Sequence, residues 1–172
     1  MATRTGRGTF GTRRRGIGAL GWVLRGAAAG AAGTTALNAV TYLDMAIRGR
    51  GSSSTPEDTV EKLAEKAHVP IPGQGETRAN RLQGLGPLTG IAAGLGVGAL
   101  AGLARASGVR VRPVVGTALT TVGVLIAANG PMTVLGITDP RSWSATDWLS
   151  DLVPHVAYSA VVRATLDGFD RG

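Results

Sequence analysis

Four long stretches of this chain are nearly free of charge, and charged or proline- and glycine-rich segments separate them. The first, 26–47, has 22 residues and one charge, Asp44. At about 1.5 Å per helical residue it is long enough for the roughly 30 Å of bilayer hydrocarbon. Its spacing Gly26, Gly30, Thr34, Asn38, Tyr42 puts one small or polar stripe on a helical face. The second, 84–104, carries glycines every four residues: Gly86, Gly90, Gly94, Gly98 and Gly102. In a water-soluble helix each glycine costs roughly 1 kcal/mol relative to alanine, whereas in a bilayer such a series lets a neighbouring backbone approach closely. The third, 113–138, is rich in Val and Thr and is interrupted by Asn129-Gly130-Pro131. Two readings stay open for 129–138: a kinked continuous span, or a helix followed by a re-entrant piece. The fourth, 147–166, is the most polar, containing Asp151, His155 and Arg163. A capping-box spacing at Ser144 and Asp147 precedes it.

This pattern predicts an all-α polytopic membrane protein, a bundle of four transmembrane helices. A basic segment, 1–25, precedes the membrane domain 26–166, and a short tail, 167–172, follows it. The connection 48–83 holds one amphipathic helix. Thr55-Pro56-Glu57-Asp58 supplies an N-cap, a first-turn proline and first-turn acids, and Val60, Leu63, Ala64 and Ala67 share a face. Pro70 and Pro72 end it, and a polar turn, 76–82, leads into the glycine series. Steps of four residues advance about 400°, so the glycine ridge winds round its helix and suits a right-handed crossing. The expected partner of this glycine zipper is either the first helix, through Gly26 and Gly30, or the same helix of a second copy.

Charge sets the orientation. The net charge is +7, and 16 of the 18 basic residues are arginine. The acid-free segments, 1–25 and 105–112, fall on one side with the C-terminal tail. The connection 48–83, with six basic residues against five acids, falls on the other side with Arg141. The positive-inside rule then places both termini in the cytoplasm, with Trp22 at the inner interface and Trp143 and Trp148 at the outer one. A competing reading takes Thr12-Arg13-Arg14-Arg15 as a twin-arginine export signal with cleavage near Ala27-Ala28-Ala29. Against it, Arg25 ends the apolar core after nine residues and the apolar stretch then resumes for 22 more. The basic residues sit at segment ends rather than on one face, with no interleaved aromatics, so nucleic acid is not the expected partner. The expected partners are the lipid bilayer and either a second copy or another membrane protein.

Candidate chemistry is sparse. An ionisable group within a bilayer is costly and therefore a functional candidate. Asp44 has Arg48 at i+4, which accounts for it as a headgroup-level ion pair. Asp151, His155 and Tyr158 share a face of the last helix and could relay protons or bind a cation, or could form a structural hydrogen-bonded pair. Asn129 and Asn38 can hydrogen-bond between helices. Two ligands are too few for a metal site, and the absence of cysteine removes thiolate chemistry. No hydrolase elbow, zinc-protease helix or phosphate loop occurs. Gly94-Leu-Gly-Val-Gly-Ala lacks the strand, third glycine and acid of a dinucleotide site. No enzyme activity and no cofactor are therefore expected.

The Arg-rich start, Thr34-Thr35-Ala36-Leu37-Asn38 in the first span and Pro154-His155-Val156-Ala157-Tyr158 in the last together resemble small uncharacterised four-helix bacterial inner-membrane proteins. In general plan the chain is similar to the YagU-like group over residues 16–166. The resemblance implies a multi-pass inner-membrane location and carries over no catalytic residue. The function expected is a non-enzymatic structural or interaction component. The alternative is a small oligomeric transporter or channel with Asp151, His155 and Asn129 along a polar path.

Overall fold

The computed structural model describes residues 17–171, and among them every regular element is helical. Five α-helices follow in order: α1 (Ala19–Arg48), α2 (Thr55–Ala67), α3 (Gly75–Ala106), α4 (Pro113–Val134) and α5 (Ala145–Arg171). A single 3₁₀ turn (Pro140–Ser142) sits between the last two. Arg4, Arg7, Arg13, Arg14 and Arg15, and with them the export-signal reading, lie outside the described residues.

The four long helices close a ring in which each packs on two neighbours: α1 on α3, α3 on α4, α4 on α5, and α5 on α1. Every neighbouring pair is antiparallel, α1 and α3 through the connection that carries α2. Residues 22, 105, 110 and 163–170 therefore gather at one end of the bundle, hereafter the basic end. Residues 44–50 and 139–151 lie at the other. The α1–α3 seam is the closest approach. A Cβ on Gly26 would collide with the Gly98 carbonyl and lie 2.9 Å from Gly102 Cα, and one on Gly30 would lie 3.1 Å from Leu95 Cα. On the opposite strip of α1, a Cβ on Gly33 would lie 2.7 Å from both Tyr158 and Val162 of α5. Thus α1 presents two glycine faces, one to each neighbour.

Along α3 the glycines divide by height. Gly94, Gly98 and Gly102 meet α1; Gly86 meets Pro56 and Glu57 of α2, with 3.1 Å to a built Cβ; Gly90, between the two contacts, faces open space. The winding of a four-residue repeat explains the division, because each step turns the ridge by about 40°. Helix α2 is further tied down by Glu61, 2.7 Å from Arg78 in the first turn of α3.

Several boundaries differ from the sequence expectation. Helix α3 starts at Gly75, so the polar turn 76–82 is its first two turns and the connection is correspondingly shorter. Ser54, one residue earlier than expected, caps α2, since Asp58 N–H already bonds the Ser54 carbonyl at 3.0 Å. Pro131 lies within α4 without ending it. The helix instead closes at Gly136 (φ 72°), where Gly136 and Ile137 N–H return to Thr133 and Met132 carbonyls at 3.0 and 2.9 Å. Helix α5 begins at the expected Ser144–Asp147 box, with Ser144 N 2.9 Å from Asp147 Oδ2 and Asp147 N 3.2 Å from Ser144 Oγ. It then continues through the expected tail to Arg171.

Two helices, α3 and α4, are long and apolar enough to cross a membrane, and only 17% of each apolar window is buried in the bundle. Glycine, threonine and Asn38 dilute the apolar character of α1, and Asp, Arg and His dilute that of α5.

Candidate functional site

Polar side chains gather at two heights. Toward the 139–151 end, Asn129 of α4 and Asp151 of α5 meet across the helix pair, with Asn129 Nδ2 donating to Asp151 Oδ2 at 2.8 Å. One turn along α5, His155 Nδ1 lies 2.6 Å from the Asp151 carbonyl and 3.4 Å from Asp151 Oδ1. A carbonyl only accepts, so Nδ1 carries a hydrogen. The His155 side chain is 11% exposed and that of Asp151 19%. Pro154 leaves Ser150 O without its i+4 amide donor, and Ser159 directs its hydroxyl to the His155 carbonyl at 2.8 Å.

The structure therefore unites Asn129, Asp151 and His155, and sends Tyr158 elsewhere. Tyr158 is fully buried, and its hydroxyl donates to the Gly94 carbonyl of α3 at 2.5 Å. Gly94 and Gly33 supply the space for its ring. Asn38 lies half-buried on α1. Asp44 is bound by two arginines, Arg48 at 3.3 Å and Arg50 at 2.6 Å, and Arg48 also donates to Ser150 Oγ at 2.6 Å. The headgroup-type ion pair expected for Asp44 thus has an additional partner in Arg50. No group of three or more His, Cys, Asp or Glu side chains able to hold a metal ion occurs among the described residues. An amide, a carboxylate and an imidazole in this arrangement can exchange a proton or coordinate a weakly held cation.

The second gathering was not legible as a site in the sequence. At the basic end Arg105 of α3, 6% exposed, pairs with both Asp167 and Asp170 of α5. Arg163 adds a bond to Asp167 at 3.0 Å and donates to the Val111 carbonyl at 2.9 Å, reaching the α3–α4 turn. Arg110 in that turn reaches Asp170 at 3.2 Å. Burial pushes the Asp167 carboxyl up, but the guanidinium groups of Arg105 and Arg163 outweigh it and hold it below the usual carboxylate range. The local signals were the Arg163–Asp167 spacing of four and the Asp167–Asp170 spacing of three, which put all three on one face of a helix that runs to Arg171.

Trp22 also departs from expectation. It is 8% exposed, packed with Ala29, Tyr158, Val162 and Leu166 in the core rather than displayed on an aromatic belt. Its ring takes the Arg25 guanidinium at 5.5 Å and that of Arg110 at 5.8 Å. Trp143 and Trp148 form an edge-to-face pair at 5.0 Å at the opposite end, with Trp143 Nε1 donating to Thr138 Oγ1 at 2.9 Å. No protein-family model, curated protein or solved structure matches the chain.

Proposed function

We propose that the chain is a four-span integral protein of a bacterial inner membrane, with both termini in the cytoplasm, acting as a non-enzymatic structural or interaction component. The observation that carries this reading is where the large apolar side chains point. Leu20, Leu24, Leu43 and Ile47 of α1, Leu100 of α3, Leu119, Ile126 and Val134 of α4, and Leu149 and Val153 of α5 are all exposed. Monomeric soluble proteins rarely display apolar surface of that extent on every side. Lipid is the solvent that suits it, with α1 and α5 admitted beside α3 and α4 because Asp44, Asp151 and Arg163 are each paired with another polar side chain. The YagU-like plan belongs to the same proposal. The glycine faces of α1 and α3, and polar groups engaged in joining helices, suit a protein whose task is to hold a shape or a partner.

The transporter reading has one observation in its favour, the half-buried Asn129–Asp151–His155 group between α4 and α5. One purification separates the two. The mildly solubilised full chain is expected to carry a second protein in stoichiometric amount. A homogeneous homo-oligomer with nothing bound, whose flux in proteoliposomes disappears with Asp151→Asn, would establish the transporter instead.

A further inference from the structure

Four guanidinium groups converge at the basic end, those of Arg25, Arg105, Arg110 and Arg163, and the carboxylates paired there are Asp167 and Asp170. Arg105, Arg110 and Arg163 each have a carboxylate partner. Arg25 has aromatic neighbours instead, the Trp22 ring at 5.5 Å and the Phe169 ring at 5.4 Å. Its Nη1 is buried and makes no hydrogen bond among the described residues. The preceding segment, 1–16, contains no Asp or Glu that could pair with it. A ring face attracts a cation but offers no oxygen to its N–H donors, so Arg25 is neutralised only in part.

The missing partner is an anion with several acceptor oxygens, the requirement that a phosphate meets for a guanidinium fork. Its source follows from position. Leu20 and Leu24, exposed on the same turns of α1, mark the end of the apolar exterior, and Arg110, Arg112 and Arg171 are exposed at the same end. We infer that the basic end binds the headgroup phosphate of an anionic phospholipid through Arg25 and Arg110, which lie 5.5 and 5.8 Å from the Trp22 ring, with an acyl chain along Leu20 and Leu24. The inference rests on the membrane-spanning reading and adds a specific lipid class to it.

The test uses the full chain reconstituted into vesicles of phosphatidylcholine alone, or with a quarter phosphatidylglycerol, then released for native mass spectrometry. Wild type is expected to retain phosphatidylglycerol over phosphatidylcholine by roughly five-fold or more, about the factor that one basic residue at an anionic surface supplies. Arg25→Gln should lose that preference, and Arg25→Lys, which keeps the charge without the fork, should keep only part of it. Arg141→Gln, 90% exposed at the opposite end, should match wild type. If Arg25→Gln does not fold, the half-exposed Arg110→Gln carries the same expectation. Equal retention of the two lipids by wild type, or a preference that survives both Arg25→Gln and Arg110→Gln, overturns the site. Inorganic phosphate that raises the detergent melting temperature as much as phosphatidylglycerol does overturns the lipid assignment in favour of a free anion. Protein that fails to float with phosphatidylcholine vesicles after an alkaline wash overturns the spanning reading as well, whereas floating protein without a lipid preference overturns the site alone.

Discussion

At the scale of single residues, the glycines of α3 have different consequences despite their identical spacing. A Cβ on Gly98 would collide with the Gly26 carbonyl and lie 2.6 Å from Gly30 Cα, and these are backbone atoms that cannot rotate away. Gly98→Ala should therefore push α1 and α3 apart, at roughly 1–3 kcal/mol for overpacking, and lower the melting temperature in detergent. Gly90→Ala meets open space, so the same melt should be unchanged or slightly raised by the better helix former. Equal losses in the two variants would contradict the seam. Tyr158→Phe keeps the ring between Gly33 and Gly94 and deletes only the bond to the Gly94 carbonyl. It should cost about 0.5–1.5 kcal/mol in a reversible unfolding measurement, much less than the cavity that Tyr158→Ala would leave.

At the scale of elements, a salt-bridged end joins α3 to α5 where no loop does. Removing Arg105 would leave Asp167 and Asp170 without their most buried partner. Arg105→Met is thus expected to destabilise the bundle by about 1–3 kcal/mol, the scale of lost charge-assisted bonds, because the part-exposed Asp167 and Asp170 keep Arg163 and Arg110 as partners. Acid should act on the same contact. The folded-state pKa of Asp167 lies below its ordinary value of 3.8, so its contribution is fully present above that value and is lost as pH falls through the lower, folded one. A melt between neutral pH and strong acid should show a loss confined to the acid side of 3.8, and Asp167→Asn should flatten that portion of the profile. A profile identical in the variant would place the acid sensitivity elsewhere. Helix α5 could be started from its sequence, through Ser144 and Asp147, but not ended. Its last turn is polar when read alone and is held by Arg105 from another helix.

At the scale of the whole molecule, antiparallel closure of four helices puts Ser107 at one end and Ser53 and Ser142 at the other. The natural chain has no cysteine, so single substitutions give a clean topology measurement. In intact cells Ser53→Cys and Ser142→Cys should react with a membrane-impermeant maleimide, and Ser107→Cys only after permeabilisation. Labelling of all three in intact cells would reject the four-span arrangement.

Taken alone, the sequence determined the helical class, the approximate place of the four long helices and the start of α5. These depend on local quantities: the run length between charges, helical spacing and capping side chains. It also marked Gly26 and Gly30 as a small stripe, yet left open whether their partner was α3 of the same chain or a second copy. Only tertiary structure decided that the partner is α3 of the same chain, that Gly33 forms a second face toward Tyr158, and that Gly90 faces outward. It likewise carried α4 past Pro131, separated Tyr158 from His155, buried Trp22, and made Arg105 the partner of aspartates more than 60 residues away. The reason is the same in each case. Spacing along one helix says which residues share a face, but the occupant of that face is chosen by how four helices close on one another.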